Sequence, residues 1–123
     1  MHKIKNVILF NSREELLRME VEKIVYFEAN GNYTNVVAMN KLKATLGANL
    51  SQTEHILNQQ MGEEAKMFMR VGKRFIVNLD YIYSVNMAKQ YLIMSDMKHF
   101  AYQLPISKEA LRQMKELMIK AKI

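Results

Sequence analysis

At 123 residues, half of them hydrophobic and 24% charged, the chain has the composition of one globular domain spanning 1–123, not of a disordered segment. Without cysteine it excludes a disulfide scaffold or thiolate metal site and suits a reducing, cytoplasmic setting, and no apolar run approaches the roughly 18 residues that cross a bilayer. The net charge of +6 is uneven, with seven Lys/Arg against six Asp/Glu in residues 1–62 and eleven against six in 63–123, which suits a polyanionic partner.

The opening "MHKIKNVILFNSREE" is no secretory signal, because its apolar patch "VILF" is only four residues long. "KNVILF" (5–10) and "ELLRMEV" (15–21) flank the polar stretch Asn11-Ser12-Arg13 and predict a hairpin. "KIVYFEA" (23–29) follows, then the break Asn30-Gly31-Asn32, then "YTNVVAM" (33–39). Asn-Gly between two β-rich runs is a strong hairpin signal, since both residues tolerate positive φ. After Gly47, "NLSQTEHILNQQM" offers Asn49 as N-cap and Gln52 three residues on, the spacing of a capping box. Leu50, Thr53, Ile56 and Leu57 share one face of this short helix, whose stability must come from docking on a sheet.

"MFMRVGKRFIVNL" (67–79) reads as one or two buried strands, interrupted by Gly72, Lys73 and Arg74. "YIYSVN" (81–86), "YLIMS" (91–95) and "HFAYQL" (99–104) then predict a meander that Pro105 ends. The last helix has Ser107 as cap, Glu109 in its first turn, and Lys115, Lys120 and Lys122 toward its far end, each favourable to the helix dipole. Leu111, Met114, Leu117, Met118 and Ala121 form its apolar stripe, and Ile106 can pack on Leu111 as a staple. The eleven methionines, including Met67, Met69, Met87, Met94 and Met97, read as core filling.

Catalytic chemistry is hard to assemble from these residues. His2, His55 and His99 lie in separate elements without metal-ligand spacing, and no phosphate-loop, dinucleotide or serine-hydrolase signature occurs. Glu28, inside the apolar "IVYFEAN", is expected to face solvent or pair with a cation across the sheet. The reading is a non-enzyme without metal or cofactor.

Three polar or basic clusters do interrupt the β pattern. They are Asn30 to Asn35 ("NGNYTN"), Gly72 to Arg74, and Ser107-Lys108 at a helix start. Amides read adenine edges, hydroxyls and helix starts hold phosphates, and Arg grips either a phosphate or guanine O6 and N7. Between Glu64 and Asp80 stand Lys66, Arg70, Lys73 and Arg74 with no acid among them. A nucleic acid fits this combination. A small basic β module binding protein, or RNA stacked on Tyr26, Tyr33, Phe75 and Tyr91, remains the alternative; the first calls for a concave apolar pocket, the second for exposed aromatics on a sheet face.

The chain also resembles the LytTR DNA-binding domain of bacterial transcription regulators. The resemblance rests on "KIVYFEANGNYTNVV" (23–37), the Asn49-Leu50 helix start, "FMRVGKRFIVNLDYI" (68–82) and "LPISKEALRQMK" (104–115). It implies a mainly β fold, with small antiparallel sheets stacked into an elongated body, one short internal helix and a C-terminal helix. It implies sequence-specific duplex binding, with loops entering neighbouring major grooves on repeated half-sites, two copies to a promoter as a homodimer on DNA. The contacting loops correspond to Asn32, Tyr33, Thr34 and Asn35; to Gly72, Lys73 and Arg74; and to Ser107 and Lys108. The chain departs from the family pattern at Gly72, where histidine is frequent, and at Arg74, where serine is usual. Such regulators usually carry a phospho-receiver domain in front; with a predicted strand directly after Met1, none is expected within this chain.

Overall fold

Side-chain alternation along one strand sets the layering. In the computed structural model, which describes residues 6–123, strand β3 (Ile24–Asn30) sends Phe27 to one side of its sheet and Tyr26 to the other. Both sides are covered, which is why β3 reads as a nearly unbroken apolar run.

β3 lies at the centre of a five-stranded antiparallel sheet in the order β5-β4-β3-β7-β6, formed with β4 (Tyr33–Ala38), β5 (Lys43–Leu46), β6 (Phe68–Val71) and β7 (Phe75–Asn78). Phe27, Val36, Phe68 and Ile76 face the predicted opening hairpin, β1 (Val7–Asn11) and β2 (Leu16–Glu20), and helix α1 (Leu50–Met61). Phe27 meets Phe10 and Phe68 edge-on at centroid distances of 6.0 and 5.6 Å. Val37, Val71, Phe75 and Val77 face the other way, toward a three-stranded meander of β8 (Ile82–Asn86), β9 (Tyr91–Ser95) and β10 (Ala101–Pro105), and helix α2 (Lys108–Ala121). A register shift between Ile24 and Tyr26 turns both Val25 and Tyr26 toward this second core. Buried Asn78 ties β7 back to β3, donating to the Ile24 carbonyl at 2.9 Å and accepting from the Asp80 amide at 3.0 Å. The result is mainly β, three small antiparallel sheets with two helices among the described residues.

Both helices start where their caps predict. The Asn49 side chain accepts from the Gln52 amide at 2.8 Å while Gln52 accepts from the Asn49 amide at 2.9 Å. The Ser107 hydroxyl accepts from the Ala110 amide at 3.3 Å.

Four details differ from expectation. β5 has no counterpart in the predicted elements: it is a four-residue edge strand in which only Leu46 is buried, too short to show a period. The buried face of α2 stops at Leu111 and Met114, with Met118 partly covered; Leu117 is 53% exposed and Ala121 is exposed, because the last turns run past the sheet. Met97 is 76% exposed in a turn at φ 67°, so it fills no core. The last meander strand begins at Ala101, because residues 96–99 fold into a turn around the Asp96 carboxylate, leaving His99 exposed. Lys5, the predicted start of the first strand, and His2 lie outside the described residues.

Candidate nucleic-acid interface

Antiparallel register brings separate loops to one end of the central sheet. The pair Asn30–Tyr33 closes the β3–β4 turn through Gly31 and Asn32, with Gly31 at φ +60°. On the other side of β3, Glu28 pairs with Phe75 and the Ala29 amide donates to the Arg74 carbonyl at 2.8 Å. That bond sets the β6–β7 turn, residues 72–74, beside the end of β3. Thr34 pairs with Leu46 of β5, so the chain entering α1 emerges at the same end.

The start of α2 joins them. Gly72 adopts φ +63°, and a Cβ built there would lie 3.6 Å from the Ala110 Cβ. A groove of about 490 Å³ runs between the β6–β7 turn and the helix start, bordered by Gly72, Lys73 and Arg74 on one side and by Ile106, Ser107 and Ala110 on the other.

The structure thus gathers all three sequence-predicted clusters, but not every residue in them is accessible. Asn32, Tyr33, Gly72, Lys73, Arg74, Ser107 and Lys108 are exposed, Tyr33 by 55%. Thr34 and Asn35 are not. Thr34 is fully buried, with its hydroxyl 2.8 Å from the Ala48 carbonyl it donates to and 3.2 Å from the Thr53 hydroxyl. Asn35 is buried and accepts from the Thr45 hydroxyl at 2.9 Å. Both polar groups serve the joint between β4, β5 and α1, so neither offers its side chain to a ligand in this conformation.

Electrostatics divides the cations at this edge into two kinds. Arg74 donates to the Glu28 carboxylate at 2.8 Å, and its guanidinium lies 5.3 Å from the centre of the Phe75 ring. The pairing expected for Glu28 is therefore present. Arg70, which no predicted cluster includes, is a brace on the opposite face of β6. It reaches the Ser51 hydroxyl at 3.3 Å, the Lys73 carbonyl at 3.4 Å and the Glu54 carboxylate at 3.5 Å. Its sequence signal was membership of the acid-free basic stretch; its partners come from α1, which sequence spacing does not reveal. Lys73 and Lys108 have no ion-pair partner among the described residues.

Of the four aromatics named for stacking single-stranded bases, Tyr33 is exposed, Tyr91 is half-buried and the other two are buried. Tyr26 and Phe75 are interior, and burial, with Glu28 and Tyr102 nearby, pushes the Tyr26 hydroxyl up to about 12. Among the described residues no group of three or more His, Asp or Glu is placed to hold a metal, and no helix is long and apolar enough to cross a membrane. A larger groove, about 630 Å³, lies at the opposite end of the central sheet between Arg18, Met19, Lys23 and Leu42; none of the predicted site residues borders it.

Comparison with known proteins bears on the family and the fold. The sequence profile of the LytTr DNA-binding domain matches residues 14–119. In fold the chain is similar to a Bacillus cereus domain described as the LytTr DNA-binding domain of a methyl-accepting/DNA response regulator. The TM-score is 0.65 and the identity 21%, over 93% of this chain and 97% of that one. No curated protein matches the sequence significantly.

Proposed function

The chain belongs to the LytTr DNA-binding domain family, and from that premise we propose that residues 1–123 act as one sequence-specific duplex-binding unit in transcription regulation. Its loop edge faces the DNA. The β3–β4 turn with Asn32 and Tyr33, and the β6–β7 turn with Arg74, approach base edges in the major groove, which at about 12 Å wide admits a two-stranded turn, while Lys73 on the second turn meets a phosphate. Ser107 and Lys108, at the start of α2, meet the flanking phosphate backbone, where a helix N-terminus and a cation both favour negative charge. Two copies bind repeated half-sites, meeting as a homodimer on the DNA.

One observation carries this reading: the Ala29–Arg74 backbone bond and the Gly72–Ala110 approach hold two turns and a helix start on one exposed edge, although the segments lie far apart in sequence. Exposed Lys73, Arg74 and Lys108 on that edge favour a polyanion as its partner.

Selection of bound sequences from a random duplex library tests the proposal. The expected result is an enriched direct repeat with half-sites about one helical turn apart. Recovery of unenriched library, with equal binding to single-stranded RNA, would overturn it.

A further inference from the structure

Arg74 could serve duplex DNA in two chemically different ways, and its surroundings distinguish them. A phosphate contact needs an available charge. Here the guanidinium is already compensated, 2.8 Å from Glu28 and flanked by the Phe75 ring at 5.3 Å. A phosphate drawn to Arg74 would also approach the Glu28 carboxylate and be repelled by it, whereas a neutral base edge would not. Glu28 itself is well fixed: it stands in β3, directly across from Phe75 in register, and its side chain is only 26% exposed. Arg74 remains accessible at 59%, and only one of its terminal nitrogens is engaged, which leaves further N–H donors of the fork open.

We propose that Arg74 and Glu28 form a guanine-reading pair, with Arg74 donating to O6 and N7 and Glu28 acting as the residue that positions it. The inference rests on the reading above that this edge faces DNA. Holding the guanidinium in one geometry before binding reduces the side-chain freedom lost on contact, and neutralising it lowers its attraction for phosphates of any sequence. Both effects widen the gap between the right site and the wrong one. The resemblance leads one to expect serine where Arg74 stands, so the pair does not follow from the family pattern.

The experiment uses the duplex enriched by the wild-type chain, the same duplex with its guanines replaced one at a time, and an unrelated duplex, titrated across a range of salt. With Glu28→Gln, which keeps size and removes charge, the preference for guanine at one position falls by roughly tenfold or more, the order expected for a lost bidentate contact. Binding to unrelated DNA strengthens, and the slope of log K against log salt steepens by about 0.9 as Arg74 becomes available to a phosphate. Arg74→Lys keeps the charge but not the fork, so it loses the same base preference even where Glu28→Gln weakens folding. If Arg74→Ala lowers affinity evenly for all sequences while Glu28→Gln matches wild type in preference and slope, Arg74 is a phosphate contact and the inference fails, with DNA binding intact. If every variant, including Lys73→Ala with Lys108→Ala, binds as wild type does, the edge itself is wrong.

Discussion

Replacing Thr34 by valine separates its structural role from a DNA-contacting one. Valine keeps the volume and β-branching that suit a strand, so the substitution removes little but the hydroxyl. That hydroxyl donates to the Ala48 carbonyl at 2.8 Å in a fully buried position. Thr53 is spared, because its own proton already has the Asn49 carbonyl at 2.9 Å. The loss is thus one buried bond with an acceptor left short, about 1–3 kcal/mol. At about 4 °C per kcal/mol for a domain of this size, the melting temperature should fall by about 4–12 °C. Thr34→Ser, which retains the hydroxyl, should lose only about 1 kcal/mol through its missing methyl. Calorimetry gives the stabilities. Fluorescence anisotropy with a labelled duplex, at a temperature where every variant is folded, gives the affinities, which should agree with wild type within about twofold. A valine variant as stable as wild type but tenfold weaker on DNA would mean that the hydroxyl points outward, and the assignment of Thr34 to the interior would be wrong.

Gly72→Ala forces a side chain into φ +63° and should cost about 1–2 kcal/mol from backbone strain alone, since the 3.6 Å approach to Ala110 is ordinary contact; a thermal melt checks it, and an unchanged melting temperature refutes it. Lys73→Ala with Lys108→Ala should flatten the salt dependence of duplex binding by about 1.8 in slope, about 0.9 for each phosphate contact removed; an unaltered slope places both lysines off the backbone. Alkaline pH should destabilise the fold, because burial raises Tyr26 to about 12 from an unfolded value of 10. The native state then holds a proton that the unfolded chain releases, so stability is complete below about pH 10 and declines toward pH 12. Tyr26→Phe should reduce that decline in urea unfolding, without abolishing it, since burial also raises Tyr81 and Tyr102.

What could be read in advance was local. The β3–β4 turn announces itself by Asn30-Gly31, and the α1 start by Asn49 and Gln52, because those signals depend on residues within four positions of one another. The split of 67–79 into two strands at Gly72 follows from the same kind of rule. The burial of Thr34 and Asn35 was not legible, because a polar residue near a turn looks the same whether water or another strand receives it. Their partners, Ala48 and Thr45, belong to β5 and the α1 approach, and β5 is too short to declare itself. The Glu28–Arg74 pair spans 46 positions and exists because β7 lies beside β3, an adjacency that no local pattern encodes. Arg70 shows the same limit, being recognisable as basic but not as the brace between α1 and the turn.

The ion pairs bear on why such an edge can be selective. A chain carrying +6 could bind DNA mainly by displacing counterions, which favours every sequence equally. Among the described residues, however, Arg70 lies near Glu54 and Arg74 is bonded to Glu28, while Lys73 and Lys108 have no ion-pair partner. The compensated pair are both arginines, whose planar forks keep directional donors after their charge is balanced. The free pair are lysines, which act as point charges and suit phosphates. On the proposed reading, charge that would hold any duplex falls to Lys73 and Lys108, while Arg74, on the β6–β7 turn, keeps open donors beside an acid that discourages phosphates. Selectivity depends on the difference between right and wrong sites rather than on total grip, and balancing the arginines acts on that difference directly.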